Sequence, residues 1–557
     1  MSNASLELGG DNWAAKDGNL LGYAVGDSSG KYVPREFTFT RGSNLAATRV
    51  AANGLIEKGR ENLLLQSNNF GTTWTRSNVG VTSGQSGYDD SSDAWLLDIS
   101  GGASSQRIEQ SMSFGGIQTF SVYAKAGTLN WIRMRGSSNT YFDLANGVIG
   151  ADGHIDSKIE SIGNGWYRCS VVTETSTLAR IYLATDDGNV TQSSGSIYIQ
   201  DAQLEQGLVA TEYIESGAST GLAGILEDSP RFDYSGGASC PSLLLEPSRT
   251  NLLEYSEYFE GSGWTIQSGV TLTTNTTETL SPEGLYNATK AVGDGTNGIF
   301  NNASSSGSHA RSVYLKSVSG TINIRISDPY AGGLAQIKSV TTEWQRFDMI
   351  GDTGGSNCGI FIDDIPSSGV YIWGAQLEQG SYSSSYIPNH SGGSVTRDAD
   401  ITSVTSVSDL IGQTEGTIYC EFEYNGAADT GVFNRIIALG TGVTQNRILL
   451  AKNNTTAELV AFAVTGGTTQ VFQAIAGTSI IGHHKVAISY KANEYKVYLD
   501  GELEFTDSSA SVPATTDVYV GTAEDGTTDN ELGGVVKQSI IFKEVLSEDN
   551  CKALTAL

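Results

Sequence analysis

The chain reads as an all-β protein of tandem β-sandwich domains, and three observations lead there. Its 557 residues hold many short apolar runs of period two, each closed by a cluster of Gly, Ser, Asn or Thr. A set of landmarks recurs in one order in two separate stretches. The composition favours strands and turns, with 67 glycines, 9 prolines and 17% charged residues, against a usual charged share of about 25%. The hydrophobic content of 39%, with 24 Tyr and 8 Trp, can fill several cores and argues against disorder. Length alone predicts about three to five domains.

Residues 1–60 hold Trp13, Tyr23, Tyr32 and the run EFTFTRGSNLAATRV. They are too few for an independent core, so an N-terminal anchoring and assembly segment is expected, packed on a neighbour or on a larger assembly. The opening MSNASLELGG lacks the basic and apolar regions of a signal peptide. No run of about 18 apolar residues occurs, so membrane insertion is not expected. The duplicated unit occupies 61–217 and 251–390. NLLLQSNNFGTTW (Asn62–Trp74) answers NLLEYSEYFEGSGW (Asn251–Trp264), and FSVYAK ending at Lys125 answers RSVYLK ending at Lys316. WYR at Trp166 answers WQR at Trp344, and AQLEQG recurs at Ala202 and Ala375, followed by Tyr213-Ile214 and Tyr386-Ile387. Within the first copy Phe120, Val122 and Ala124 alternate with Ser121, Tyr123 and Lys125, the pattern of a sandwich strand. The intervening 218–250 carries Pro230, Pro241 and Pro247 and predicts a stiffened linker docked on the second copy. The last domain, 396–557, contains GTIYCEFEY with Ile418, Cys420, Phe422 and Tyr424 on one face. Asp500-Gly501 predicts a type I′ hairpin turn, and Ser547 an N-cap of a short terminal helix, with Leu546 and Cys551 as its hydrophobic staple.

The formal net charge is −28, which repels phosphate backbones and argues against nucleic-acid binding. Cys169, Cys240, Cys358, Cys420 and Cys551 are widely spaced, odd in number and without a CxxC pair, so neither a disulfide framework nor a zinc site is expected. Buried thiols of a chain made in a reducing compartment fit instead. Five histidines and no nucleophile, metalloprotease or phosphate-loop motif give no basis for a catalytic residue, so a non-enzymatic protein is expected.

Several segments resemble structural proteins of tailed-bacteriophage virions, of the tail-fibre and head-fibre appendage type: FTFTRGSNLAATRVAANGLIE (Phe37–Glu57), SIYIQDAQLEQG (Ser196–Gly207) and PRFDYSGGASCPSLLLEPSRTNLLEYSEYF (Pro230–Phe259). The duplicated unit is similar to jelly-roll carbohydrate-binding modules. HHKVAISYKANEYKVYLDGELEFTDSSASVP (His483–Pro513) is similar to concanavalin A-like, laminin G-like domains. The resemblance implies two jelly rolls and a C-terminal laminin G-like sandwich, in a homo-oligomer, expected to be a trimer. It also implies an exposed position on the virion, with other virion proteins and host surface glycans as partners. A tailspike-like polysaccharide depolymerase and a purely structural decoration protein remain the alternative functions. The jelly-roll resemblance further implies a structural calcium near Asp201, where the second copy has Gly374.

One strand stands out as a binding candidate. In Trp131-Ile132-Arg133-Met134-Arg135, period two gives Ile132 and Met134 to the core and leaves Trp131, Arg133 and Arg135 together on the opposite face. A ring flanked by two guanidiniums suits a sugar ring and its hydroxyls or carboxylate. Packing of Trp131 against a neighbouring domain or subunit is the competing reading. The second copy keeps Arg325 but has Asn323 and Ser327, which predicts weaker binding there.

Overall fold

The period-two runs fold as strands. The computed structural model describes residues 4–557 apart from 11–12, 17, 26–31, 43–44, 103–104, 113–114, 331–333, 353, 427–431 and 527–529. Strand accounts for 51% and helix for 2%, and the α-helix among the described residues is Glu548–Thr555, N-capped by Ser547.

The first copy is a sandwich of two six-stranded antiparallel sheets. One runs, in spatial order, Asp156–Gly163, Trp166–Glu174, Ile117–Ala126, Ser196–Gln206, Ala94–Ile99, Val79–Gln85. The other runs Val148–Asp152, Asn139–Asp143, Trp131–Arg135, Leu178–Ala184, Arg107–Ser111, Thr75–Ser77. Phe120, Val122 and Ala124 of one sheet meet Ile132, Met134, Ile181 and Leu183 of the other in a core that excludes water. Each large apolar side chain buried this way contributes roughly 1.5–3 kcal/mol before ordering costs. The second copy repeats the plan with two five-stranded sheets.

The recurring landmarks form a buried latch that closes each sandwich. Asn62 accepts from Leu204 N (3.1 Å) and donates to Ile214 O (2.8 Å). Asn251 does the same with Leu377 N (3.2 Å) and Ile387 O (3.0 Å). The Glu205 carboxylate receives Thr211 N and Oγ1 at 2.8 and 2.6 Å, as Glu378 receives Ser384 N and Oγ at 2.8 and 2.6 Å. Buried polar groups are retained only where such partners exist. The duplication therefore conserves a packing device. Trp74 and Trp264 belong to it, packed on Phe70 and Phe259 in the two cores.

The C-terminal sandwich redraws two expected boundaries. Segment 1–60, expected to pack on a neighbour or on a larger assembly, is part of this sandwich, where Leu6–Gly9 pairs antiparallel with Ile541–Gln538 of the last strand. Asn19–Val25 and Tyr32–Thr40 follow as a hairpin that bridges to Ile401–Val404. Leu6, Leu8, Leu20, Phe37 and Phe39 lie in the same core as Ile418, Phe422 and Val497. Segment 218–250 was expected to dock on the second copy. It meets that copy through Glu246, which accepts from Ser385 N at 2.7 Å and Ser385 Oγ at 2.6 Å, and in addition Ser242–Leu245 pairs with the strand Gly534–Phe542, with Leu243 and Leu245 entering that same core. The physical reason is that both short segments carry period-two apolar residues and the last strand has backbone groups to pair. The two jelly rolls are thus inserted into one sandwich drawn from three parts of the chain. Arg41, Arg231, Glu246, Arg397 and Asp400 pin the crossing points in a buried ion cluster, with Arg41–Asp400 at 3.0 Å, Arg231–Glu246 at 2.8 Å and Arg397–Glu246 at 2.9 Å. Asp500 and Gly501 both have positive φ, 48° and 90°, as the predicted hairpin turn requires.

Candidate functional site

The strand Trp131–Arg135 lies in the middle of its sheet, between Leu178–Ala184 and Asn139–Asp143. Its alternation is as the sequence predicts: Ile132 and Met134 are 0% exposed, whereas Trp131, Arg133 and Arg135 are half-buried on the outer face. Register then brings up residues that the sequence alone does not connect. Arg133 is opposite Tyr182 and Tyr141, Arg135 is opposite Arg180, and Arg107 is opposite Tyr182 from the far side.

These side chains form one surface. The Arg133 guanidinium stacks on the Tyr182 ring, 3.6 Å from its centroid, and donates to the Tyr141 hydroxyl at 3.3 Å. Arg107 lies 5.7 Å from the Tyr182 centroid on the other side. Glu109 is clamped between Arg107 (2.9 Å) and Arg180. Burial works against its charge, but the hydrogen bonds and charges of these two guanidiniums win and hold its carboxyl below the usual range. Arg135 makes no ion pair with a described residue and stands directly across from Arg180. Like charges directly opposite on a sheet face cost stability. Trp131 closes the other end: a methyl at Gly150 would sit 2.8 Å from its ring and 2.6 Å from Asp187 Oδ1, so glycine there makes room for the ring to reach the strand Val148–Asp152, next but one in the sheet. The result is an aromatic floor of Trp131, Tyr141 and Tyr182 under Arg107, Arg133, Arg135 and Arg180. Arg107, Glu109, Tyr141, Arg180 and Tyr182 escaped the sequence reading, although the strand LARIYLA alternates Ala179, Ile181 and Leu183 inward with Arg180 and Tyr182 outward.

The second copy dismantles this surface at equivalent positions. Arg325 pairs with Asp363, and Asp364 lies 3.4 Å away, so its charge is neutralised. Asp363 is the cross-strand partner of Arg325, where Tyr182 is the partner of Arg133. Phe361 stands opposite Ser327, where Arg180 faces Arg135.

Asp201 has a backbone role beside the metal role expected of it. It is the extra residue of a β-bulge against Ser121 and Tyr123, with φ +49°; Gly374 fills the same bulge against Ser312 and Tyr314 with φ +62°. Asp and Gly are both tolerated in this left-handed conformation. Asp201 Oδ2 accepts from the Tyr88 hydroxyl at 2.8 Å. Burial pushes its carboxyl up to about 6, Tyr88 opposing and Asp93 and Asp89 reinforcing. The oxygen-rich surroundings suit calcium in kind. The Gln200 amide bridges Asp89 (3.2 Å) and Asp93 (2.9 Å), and no group of three His, Cys, Asp or Glu side chains converges among the described residues. No helix among the described residues is long and apolar enough to cross a membrane.

No protein-family model matches the chain, and no curated protein does. Among solved structures, the chain is similar to the carbohydrate-binding module of Ruminococcus gnavus IT-sialidase bound to α2,3-sialyllactose, at 18% identity and a TM-score of 0.24, over 28% of this chain and 91% of that one. It is similar to domain 4 of a GH43 extracellular arabinanase from Geobacillus stearothermophilus in complex with arabinotriose, at 12% identity and TM-score 0.24, over 31% and 80%. It is also similar to a heptameric SAP-like pentraxin from Limulus polyphemus, at 12% identity and TM-score 0.20, over 25% and 68%.

Proposed function

We propose that the protein is a non-catalytic glycan-binding component of a tailed-bacteriophage virion, exposed on head or tail, and that its first jelly roll attaches the particle to an acidic host-surface glycan. The observation that supports this reading is the outer sheet face of that jelly roll. Trp131 offers its half-buried ring to the apolar face of a pyranose, and four guanidiniums, two of them laid on the buried Tyr182 ring, supply forked donors for hydroxyls and carboxylates. Among the described residues, only Glu109 answers those guanidiniums within an ion pair. Against a net charge of −28 for the whole chain this is a local positive patch on an acidic molecule, which would orient an anionic chain toward it. The second jelly roll and the C-terminal sandwich act as scaffold in this reading. Assembly into a homotrimer with other virion proteins belongs to the same proposal, and light scattering that reads only monomer would contradict it.

The test is Trp131→Ala in the full chain, read on a glycan array and in thermal melts. Loss of binding to acidic glycans with an unchanged melt is the expected result. A lowered melting temperature, with no glycan bound by either protein, would make Trp131 a packing residue and overturn the reading.

A further inference from the structure

A buried cluster joins the segment before the first copy to the interior of the second. Lys58, on the short strand Ile56–Lys58, is 6% exposed and sends its ammonium into the second jelly roll, 3.2 Å from Glu257 Oε1 and 3.2 Å from Glu283 Oε1. Asn287, 1% exposed, donates through Nδ2 to the other oxygen of each carboxylate, Glu257 Oε2 at 3.1 Å and Glu283 Oε2 at 3.0 Å. Two acceptors on one side fix which way the amide points. Its Oδ1 is buried with no hydrogen-bond partner among the described residues. An amine, a carboxamide and two shared carboxylates are thus held together away from water. Arg60 also pairs with Glu283, whereas Glu257 accepts from the Tyr386 hydroxyl at 3.0 Å and has His390 Nε2 at 3.8 Å, the imidazole lying 3.4 Å from Lys58 Nζ.

The first copy shows that the fold does not need this set. Asn287 precedes by two residues the strand position Thr289, paired with Ile372, as Asp93 precedes Trp95, paired with Ile199. Asn68 follows Ser67, whose carbonyl accepts from Ala202 N, as Glu257 follows Ser256, whose carbonyl accepts from Ala375 N. The first copy thus has Asn68 and Asp93 where the second has Glu257 and Asn287.

We propose that Lys58 and Asn287 react with each other to form an intramolecular isopeptide bond, with Glu257 as proton shuttle. The Lys58 ammonium gives a proton to Glu257 Oε1, an exchange of two buried charges for two neutral groups that low dielectric favours. The neutral amine attacks Asn287 Cγ; a C–N bond forms and the carbonyl electron pair moves onto Oδ1. Collapse of this adduct breaks the bond from Cγ to Nδ2. Glu257, within reach of Nδ2, returns a proton to the departing nitrogen, and the amine's remaining excess proton leaves with it. The products are a Lys58 Nζ–Asn287 Cγ amide and one ammonium ion, with no oxidant, metal or cofactor. Holding the reactants together replaces a catalyst in a reaction that each molecule performs once. The cleft lined by Lys58, Arg60, Glu205 and His390 gives the ammonia a way out.

Intact mass spectrometry of the denatured full chain, followed by peptide mapping, tests this. The expected mass is that of the sequence less one ammonia, with the Lys58 and Asn287 peptides recovered as one branched species. Lys58→Arg, which keeps the charge and most of the packing, restores the full mass, and Glu257→Gln leaves the two peptides separate. Wild-type protein at full sequence mass with unlinked peptides overturns the proposal. A link that still forms in Glu257→Gln overturns the role given to Glu257.

Discussion

At the scale of single residues, Asp201 shows how a position can recur for backbone reasons and acquire chemistry as a by-product. The bulge demands positive φ, which Gly374 meets without a side chain and Asp201 meets with one that burial makes hard to ionise. Its ordinary value is 3.8 and its folded value about 6, so between these the folded state holds a proton that the unfolded chain has released. Stability of the first jelly roll therefore rises as pH falls through this window and is lost as pH rises through it. Asp201→Asn, which tolerates the same backbone, should flatten the slope of melting temperature against pH between about 4 and about 6. Equal slopes for the two proteins would contradict this origin. A wild-type slope that disappears with added calcium and returns with chelator would restore the cation. The sequence places Asp201 in the closing strand but does not show the bulge, which is invisible without the partner strand.

At the scale of elements, alternation was a reliable guide to which face a residue takes, and strand order was not recoverable. Ile132 and Met134 point inward because their neighbours along the chain point outward, a local property. That Tyr182 and Arg180 stand beside Arg133 and Arg135 is a pairing across more than forty residues of chain, which no local pattern encodes. The same limit hid the N-terminal strand. Leu6 and Leu8 look like two stray apolar residues until Ile541 and Ser539 are set opposite them. Leu8→Ala should destabilise the C-terminal sandwich by about 2–5 kcal/mol, the usual cost of truncating a buried leucine. Hydrogen exchange should speed up first along Gly534–Phe542, the strand that Leu6–Gly9 covers. By the same reasoning residues 396–557 alone, lacking both Leu6–Gly9 and Ser242–Leu245, should show no cooperative melt. A fragment that melts as sharply as the whole chain would contradict the nested arrangement.

At the scale of the whole molecule, the duplication has diverged in chemistry while keeping its latch. Both copies retain the Asn, Gln-Leu-Glu-Gln and Tyr-Ile landmarks, which hold the sandwich shut. Their outer faces part company: the first leaves Arg135 uncompensated beside Arg180, and the second neutralises Arg325 with two aspartates. A positive face kept on a chain of charge −28 is the central feature that the proposed function explains. The most direct measurement is a pair of binding isotherms for the full chain, one with a uronic- or sialic-acid-bearing oligosaccharide and one with the same oligosaccharide reduced at its carboxyl groups. Two charge-assisted contacts of about 1.5–3 kcal/mol each predict a preference for the acidic form of about a hundredfold or more, cut about tenfold or more in Arg135→Gln with no loss of melting temperature. Equal affinity for the two forms, or a preference untouched by Arg135→Gln, would contradict the account.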